Sequence, residues 1–84
     1  MLRRNYYKNR RGRDIFWEME NRHFPYEQCI GFCRLNIIKY QRRAGHKPGV
    51  PKELDNAKAD TYLAEMRKLK KLRKEYAEAG VEWP

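Results

Sequence analysis

The amino-acid sequence predicts an all-α fold: a short helix, a central helix and a long C-terminal helix, the last two an antiparallel hairpin. Three observations carry this. Tyr26, Ile30, Cys33, Ile37, Tyr40 and Ala44 recur at alternating intervals of four and three, the spacing of one helical face. Tyr62, Leu63, Met66, Leu69, Leu72 and Tyr76 draw a second such stripe. Between the two, residues 45–51 read Gly-His-Lys-Pro-Gly-Val-Pro, the composition of a tight loop.

Each element has its own signals. Asp14 is a plausible N-cap for a short helix over 14–22 that carries Ile15, Phe16, Trp17 and Met19. A turn follows at His23-Phe24-Pro25, and Pro25 suits the first turn of a new helix. The central helix spans 26–43. Phe32, Leu35 and Ile38 lie off its main stripe, so neighbours should bury it on more than one side. Gly45 is a C-cap residue. Pro51-Lys52-Glu53 opens the last helix, which runs to about Ala79 and stops at Gly80. At 1.5 Å per residue that helix reaches about 40 Å, more than the two shorter helices cover. Its stripe Met66, Leu69, Leu72 and Tyr76 is therefore expected to be partly wet in a single copy. A homo-oligomer would cover it.

Among 84 residues, 20 Lys and Arg face 11 Asp and Glu, a formal net charge of +9. That balance favours acidic partners. The chain divides into a basic arm over 1–13 and a single helical domain over 14–84. The arm is expected to add electrostatic affinity and not to contribute to the fold. No apolar run approaches the roughly 20 residues of a membrane span, so no membrane partner is expected. The basic start is not followed by the apolar segment of a secretory signal. Cys29 and Cys33 sit four apart inside the central helix, which suits two reduced core thiols and a cytoplasmic location.

Three groups of residues could carry function. The first is on the central helix and the following loop. Asn36, Lys39 and Arg43 fall within about 60° of one another around the helix, with Phe32 one turn earlier. Lys47 follows in the loop. An aromatic, an amide and cations side by side suit a base and its phosphates. In this reading Arg43, Lys39 and Lys47 hold phosphate, Asn36 bonds the base or sugar, and Phe32 or Tyr40 packs on it. The competing reading places Arg43 in an ion pair with Asp60 or Glu65 of the last helix. The second group is the arm: Arg3, Arg4, Lys8, Arg10, Arg11 and Arg13 with Tyr6 and Tyr7 among them, which suits a nucleic-acid backbone. The third is the basic run Arg67, Lys68, Lys70, Lys71, Arg73 and Lys74, read first as a solvated face. Cys29, Cys33, His23 and His46 lack the paired spacing of zinc ligands, and no metal site is predicted. The Walker, nucleophile-elbow and His-Glu-x-x-His motifs are all absent from the sequence.

The run Asn36-Ile37-Ile38-Lys39-Tyr40-Gln41-Arg42-Arg43-Ala44-Gly45, then Lys47, then Lys58-Ala59-Asp60-Thr61-Tyr62-Leu63, resembles a family of small bacteriophage proteins. The family pattern is Gly-Asn-x-x-Lys-Tyr-x-x-Arg-x-Gly-x-Lys, a short loop, then Lys-Ala-x-x-Tyr-Leu. The resemblance covers about residues 6–66. Here Leu35 stands where the pattern has its first glycine, and Tyr6-Tyr7-Lys8 where members open with His-Tyr-Lys. Many members are described as phage nucleotide kinases. The resemblance implies nucleotide handling by Asn36, Lys39, Arg43 and Lys47, either as a nucleoside monophosphate kinase or as a sequestering protein. A kinase would use magnesium with its nucleotide. A phage origin implies the host cytoplasm. The rival functions are a nucleic-acid-binding module and an inhibitor that grips an acidic host protein.

Overall fold

The computed structural model describes residues 14–84. They form α1 (Ile15–Glu20), α2 (Tyr26–Arg43) and α3 (Lys52–Glu78). The Asp14 carboxylate caps α1 by accepting the Trp17 N–H at 2.8 Å. This helix ends two residues earlier than the sequence predicts. The Asn21 side-chain amide donates to the Trp17 carbonyl at 2.8 Å, and Arg22 takes a left-handed φ of 62° that no helix continues. The α2 boundaries are those the spacing predicts. Gly45, just past its C-terminus, adopts φ 80°, a conformation that costs glycine little and other residues much.

Two contacts fix α2 and α3 as antiparallel. At one end the Arg73 guanidinium lies 4.1 Å from the Tyr26 ring centroid. Toward the other, Tyr40 stacks on Tyr62 with centroids 6.0 Å apart and planes 16° from parallel. α1 lies against this pair, with Phe16 edge-on to Tyr62 at 5.5 Å. The centre of the core is Met19, Cys29, Cys33 and Leu69, all essentially without solvent exposure. Both thiols are free. Burial, followed by the nearby Glu65 charge, raises the Cys29 pKa to about 11 and that of Cys33 to about 12. No helix of the described residues is long and apolar enough to cross a membrane.

The far end of α3 is partly covered within the chain: Met66 and Leu69 are buried, while Leu72 and Tyr76 stay partly exposed. The Tyr76 hydroxyl donates to the Glu20 carbonyl at 2.7 Å, tying α3 to the end of α1. Residues 81–84 then double back. Trp83 is buried edge-on to both Tyr26 and Tyr76, with centroids 5.2 and 5.8 Å away. Its indole N–H donates to the Phe24 carbonyl at 2.9 Å, and the Tyr26 N–H donates to the Pro84 carbonyl at 2.6 Å. The tail packs beside the core that holds Met66 and Leu69, and Leu72 and Tyr76 are partly buried against that core.

Candidate functional site

The stripe of α2 continues past Ile37 to Tyr40, which places that ring beside the hairpin loop. Tyr40 is itself buried and stacks on Tyr62, so its ring is a fixed anchor for the side chains around it. Three cations surround it. Lys39 Nζ is 4.8 Å from the ring centroid, the Arg43 guanidinium carbon 4.9 Å and Lys58 Nζ 5.3 Å. All three lie within the range at which an aromatic quadrupole attracts a cation. Lys39 and Arg43 come from neighbouring turns of α2, and Lys58 comes from α3. Behind Tyr40, Tyr62 forms a hub that also contacts Phe16 and, at 5.8 Å, Phe32.

One acid lies beneath this cluster. Asp55 has a side-chain exposure of 0%, and Arg43 spans it in a fork: Nη2 donates to Oδ1 at 2.8 Å, and Nε donates to Oδ1 and Oδ2 at 3.2 and 3.3 Å. The hydrogen bond from Arg43 holds the Asp55 pKa below the ordinary carboxylate value, against the opposing effect of burial. The charges of Arg43, Lys58 and Lys47 add to the lowering, so Lys47 also belongs to this field. The same bond raises the pKa of Arg43. The Asp55 carboxylate thus lies in the field of three cations, Arg43, Lys58 and Lys47, with Lys39 beside the same ring.

The other predicted residues are placed as follows. Phe32 is partly exposed and lines a cavity of about 180 Å³ with Ile15, Met19, Phe24, Gln28 and Cys29. Asn36 lies between this cavity and the cations, and its amide N–H donates to the Phe32 carbonyl at 2.9 Å. Along the helix axis Phe32 and Lys39 are separated by about 10 Å. The arm residues Arg3, Arg4, Lys8, Arg10, Arg11 and Arg13 lie outside the described residues.

The ion-pair partner of Arg43 is Asp55, not Asp60 or Glu65. Sequence reasoning missed it, although a signal was present. Asp55, Ala59, Tyr62, Met66 and Leu69 are spaced four, three, four and three. An acid therefore occupies a core position of the α3 stripe, where only a paired charge is tolerable. Lys58 was visible only through the family motif. It follows Asp55 by three residues, which places it on the same side of the helix.

Fold and site together define a small helical protein with a cationic, aromatic-anchored cluster where its hairpin turns. The chain belongs to a family of proteins of unknown function (DUF3310), whose model matches residues 5–64. That match spans Lys39, Tyr40, Arg43, Lys47, Asp55, Lys58 and Tyr62. Curated relatives are phage proteins. The SaV protein of Lactococcus phage SK1 is 35% identical over 65 residues, covering 77% of this chain and 50% of the relative. The SaV protein of Lactococcus phage p2 is 34% identical over 64 residues, covering 76% and 49%. The chain thus spans about half the length of these relatives. No solved structure matches it.

Proposed function

We propose that this chain binds a phosphate-bearing nucleotide at the Tyr40 cluster. The observation that carries the reading is the convergence of Lys39, Arg43 and Lys58 on one buried ring, with Lys47 adding to the field and a single carboxylate beneath. Lys39, Lys58 and Lys47 are cations beyond the Arg43–Asp55 pair, a positive field that a phosphate would satisfy through charge-assisted hydrogen bonds. Asp55 orders that field by holding the Arg43 fork in place. Lys39 and Lys58 are not tied to the acid by ion pairs, so they supply the mobile phosphate contacts. A base would enter the cavity at Phe32 and Phe24, about one nucleoside length along α2, with Asn36 beside the sugar.

This reading accommodates both expectations drawn from the phage-family resemblance. Sequestration needs binding alone. A nucleoside monophosphate kinase also needs a second phosphate site and magnesium with its nucleotide, and the same cluster would hold one of the two phosphates.

The test is calorimetric titration of the full chain with a panel of nucleoside mono- and triphosphates. The double variant Lys39→Gln/Lys58→Gln should keep its helicity and lose about one to two orders of magnitude in affinity for the best ligand. That loss corresponds to at least one of the two phosphate contacts, each worth about 1.5–3 kcal/mol. Unchanged affinity in the double variant would overturn the assignment of the site. Absence of any nucleotide binding by the wild type would overturn the function.

A further inference from the structure

The second half of α3 carries six cations between positions 67 and 74, and the structure sorts them into two groups. Lys68 is engaged, its Nζ bonding Glu20 Oε1 at 3.1 Å. Arg73 is engaged as well, lying over Tyr26 with its guanidinium carbon 4.1 Å from the ring centroid. The other four, Arg67, Lys70, Lys71 and Lys74, are exposed and form no ion pair among the described residues. Their spacing of i, i+3, i+4 and i+7 gathers them into a sector of about 100° on the solvent side of α3. They form a straight stripe about 10 Å long, with Glu78 at its C-terminal end.

We infer that this stripe docks the phosphate backbone of double-stranded nucleic acid, a ligand separate from the nucleotide of the Tyr40 cluster. A duplex carries one negative charge per roughly 3.4 Å of axis on each strand, so the stripe spans about three phosphates of one strand, or about six shared between both, and its four cations can engage up to four of them. The stripe contains no aromatic side chain, whereas capture of a single strand relies on aromatic stacking. It also contains no Asn or Gln for adenine edges, so the contact positions the chain on a backbone and reads no sequence. The two sites are distinct. Arg67 lies nine residues beyond Lys58, about 13 Å along α3, and no residue serves both.

The test is fluorescence anisotropy of the full chain with a labelled duplex of mixed sequence over a series of salt concentrations. Wild type should bind, with log K falling linearly in log salt. In the variant Arg67→Gln/Lys70→Gln/Lys71→Gln/Lys74→Gln the slope should flatten by about three to four, since each phosphate contact contributes about 0.9. Helicity and melting temperature should stay at the wild-type values. Lys70→Gln/Lys74→Gln should give about half the flattening and repeats the reading with fewer changes. Lys39→Gln/Lys58→Gln should flatten it by less than the quadruple variant does. That last variant's nucleotide affinity, measured separately, reports on the Tyr40 cluster alone. An unchanged slope in the quadruple variant overturns the inference. So does a wild type that binds no duplex, that prefers a single strand of equal length, or that binds polyglutamate as tightly as the duplex.

Discussion

Arg43 and Asp55 form a forked ion pair across the turn of the hairpin in which the acid is fully buried and the cation keeps a quarter of its surface, 26%, in water. The pair therefore faces two ways. Asp55 belongs to the core stripe of α3, and Arg43 carries its charge out to the Tyr40 cluster. A lone carboxylate at that core position would be strongly unfavourable, so the fork is a condition of folding as well as the frame of the site.

The first consequence concerns acid stability. The native pKa of Asp55 lies below its ordinary value of 3.8. The folded protein therefore holds this proton less tightly than the unfolded chain does. The resulting stability is complete above the unfolded pKa and is lost as pH falls through the lower native value. Melting temperature should thus drop steeply below about pH 4, and in Asp55→Asn this part of the drop should vanish while the neutral-pH melting temperature falls by several degrees. An Asp55→Asn profile parallel to wild type would show that the pair does not act this way.

A second consequence separates fold from ligand. Arg43→Ala leaves a buried carboxylate without its fork and should be markedly less stable than Lys39→Gln or Lys58→Gln, which remove exposed or half-exposed cations. Arg43→Lys keeps the charge but cannot span both oxygens, so its stability should fall between these. Urea denaturation orders the variants, and equal midpoints for Arg43→Ala and Lys39→Gln would contradict the geometry.

The two core thiols give a third prediction. With their pKa values pushed up to about 11 and 12 inside the helix interface, neither should form thiolate at pH 8. Ellman's reagent should meet almost no reaction in the native state and two equivalents once the protein is unfolded. Fast modification of either thiol in the folded protein would show that the core around them opens readily.

The C-terminal tail gives a fourth. Trp83 is buried at 6% exposure and closes the gap between Tyr26 and Tyr76 while bonding the Phe24 carbonyl. Trp83→Ala removes that packing and should cost about 3 kcal/mol or more in urea denaturation. A loss below about 1 kcal/mol would mean that the tail only rests on the surface.

Much of the fold is legible in the sequence, because four-three spacing reports a buried helical face directly. The boundaries of α2 follow from it together with Pro25 and Gly45. The covering of α3 was not legible. Val81-Glu82-Trp83-Pro84 has no period, and only tertiary packing shows that Trp83 folds back onto Tyr26 and Tyr76. The candidate site was half legible. Helical angles brought Phe32, Asn36, Lys39 and Arg43 to one sector, but they describe one helix at a time. Lys58 and Asp55 enter from α3 across the loop, and their approach depends on the register of the hairpin. One helix alone also leaves the ion-pair partner of Arg43 open between Asp60 and Glu65, where the register of the hairpin gives it Asp55.

The central claim, that the Tyr40 cluster holds the phosphate of a nucleotide, is tested most directly by amide-resolved NMR titration of the full chain with a nucleoside monophosphate. The account predicts saturable shifts at Lys39, Arg43, Lys47 and Lys58, with smaller ones at Phe24 and Phe32, and little change at Arg67, Lys70, Lys71 and Lys74. Shifts confined to the α3 stripe, or none at saturating ligand, would contradict it.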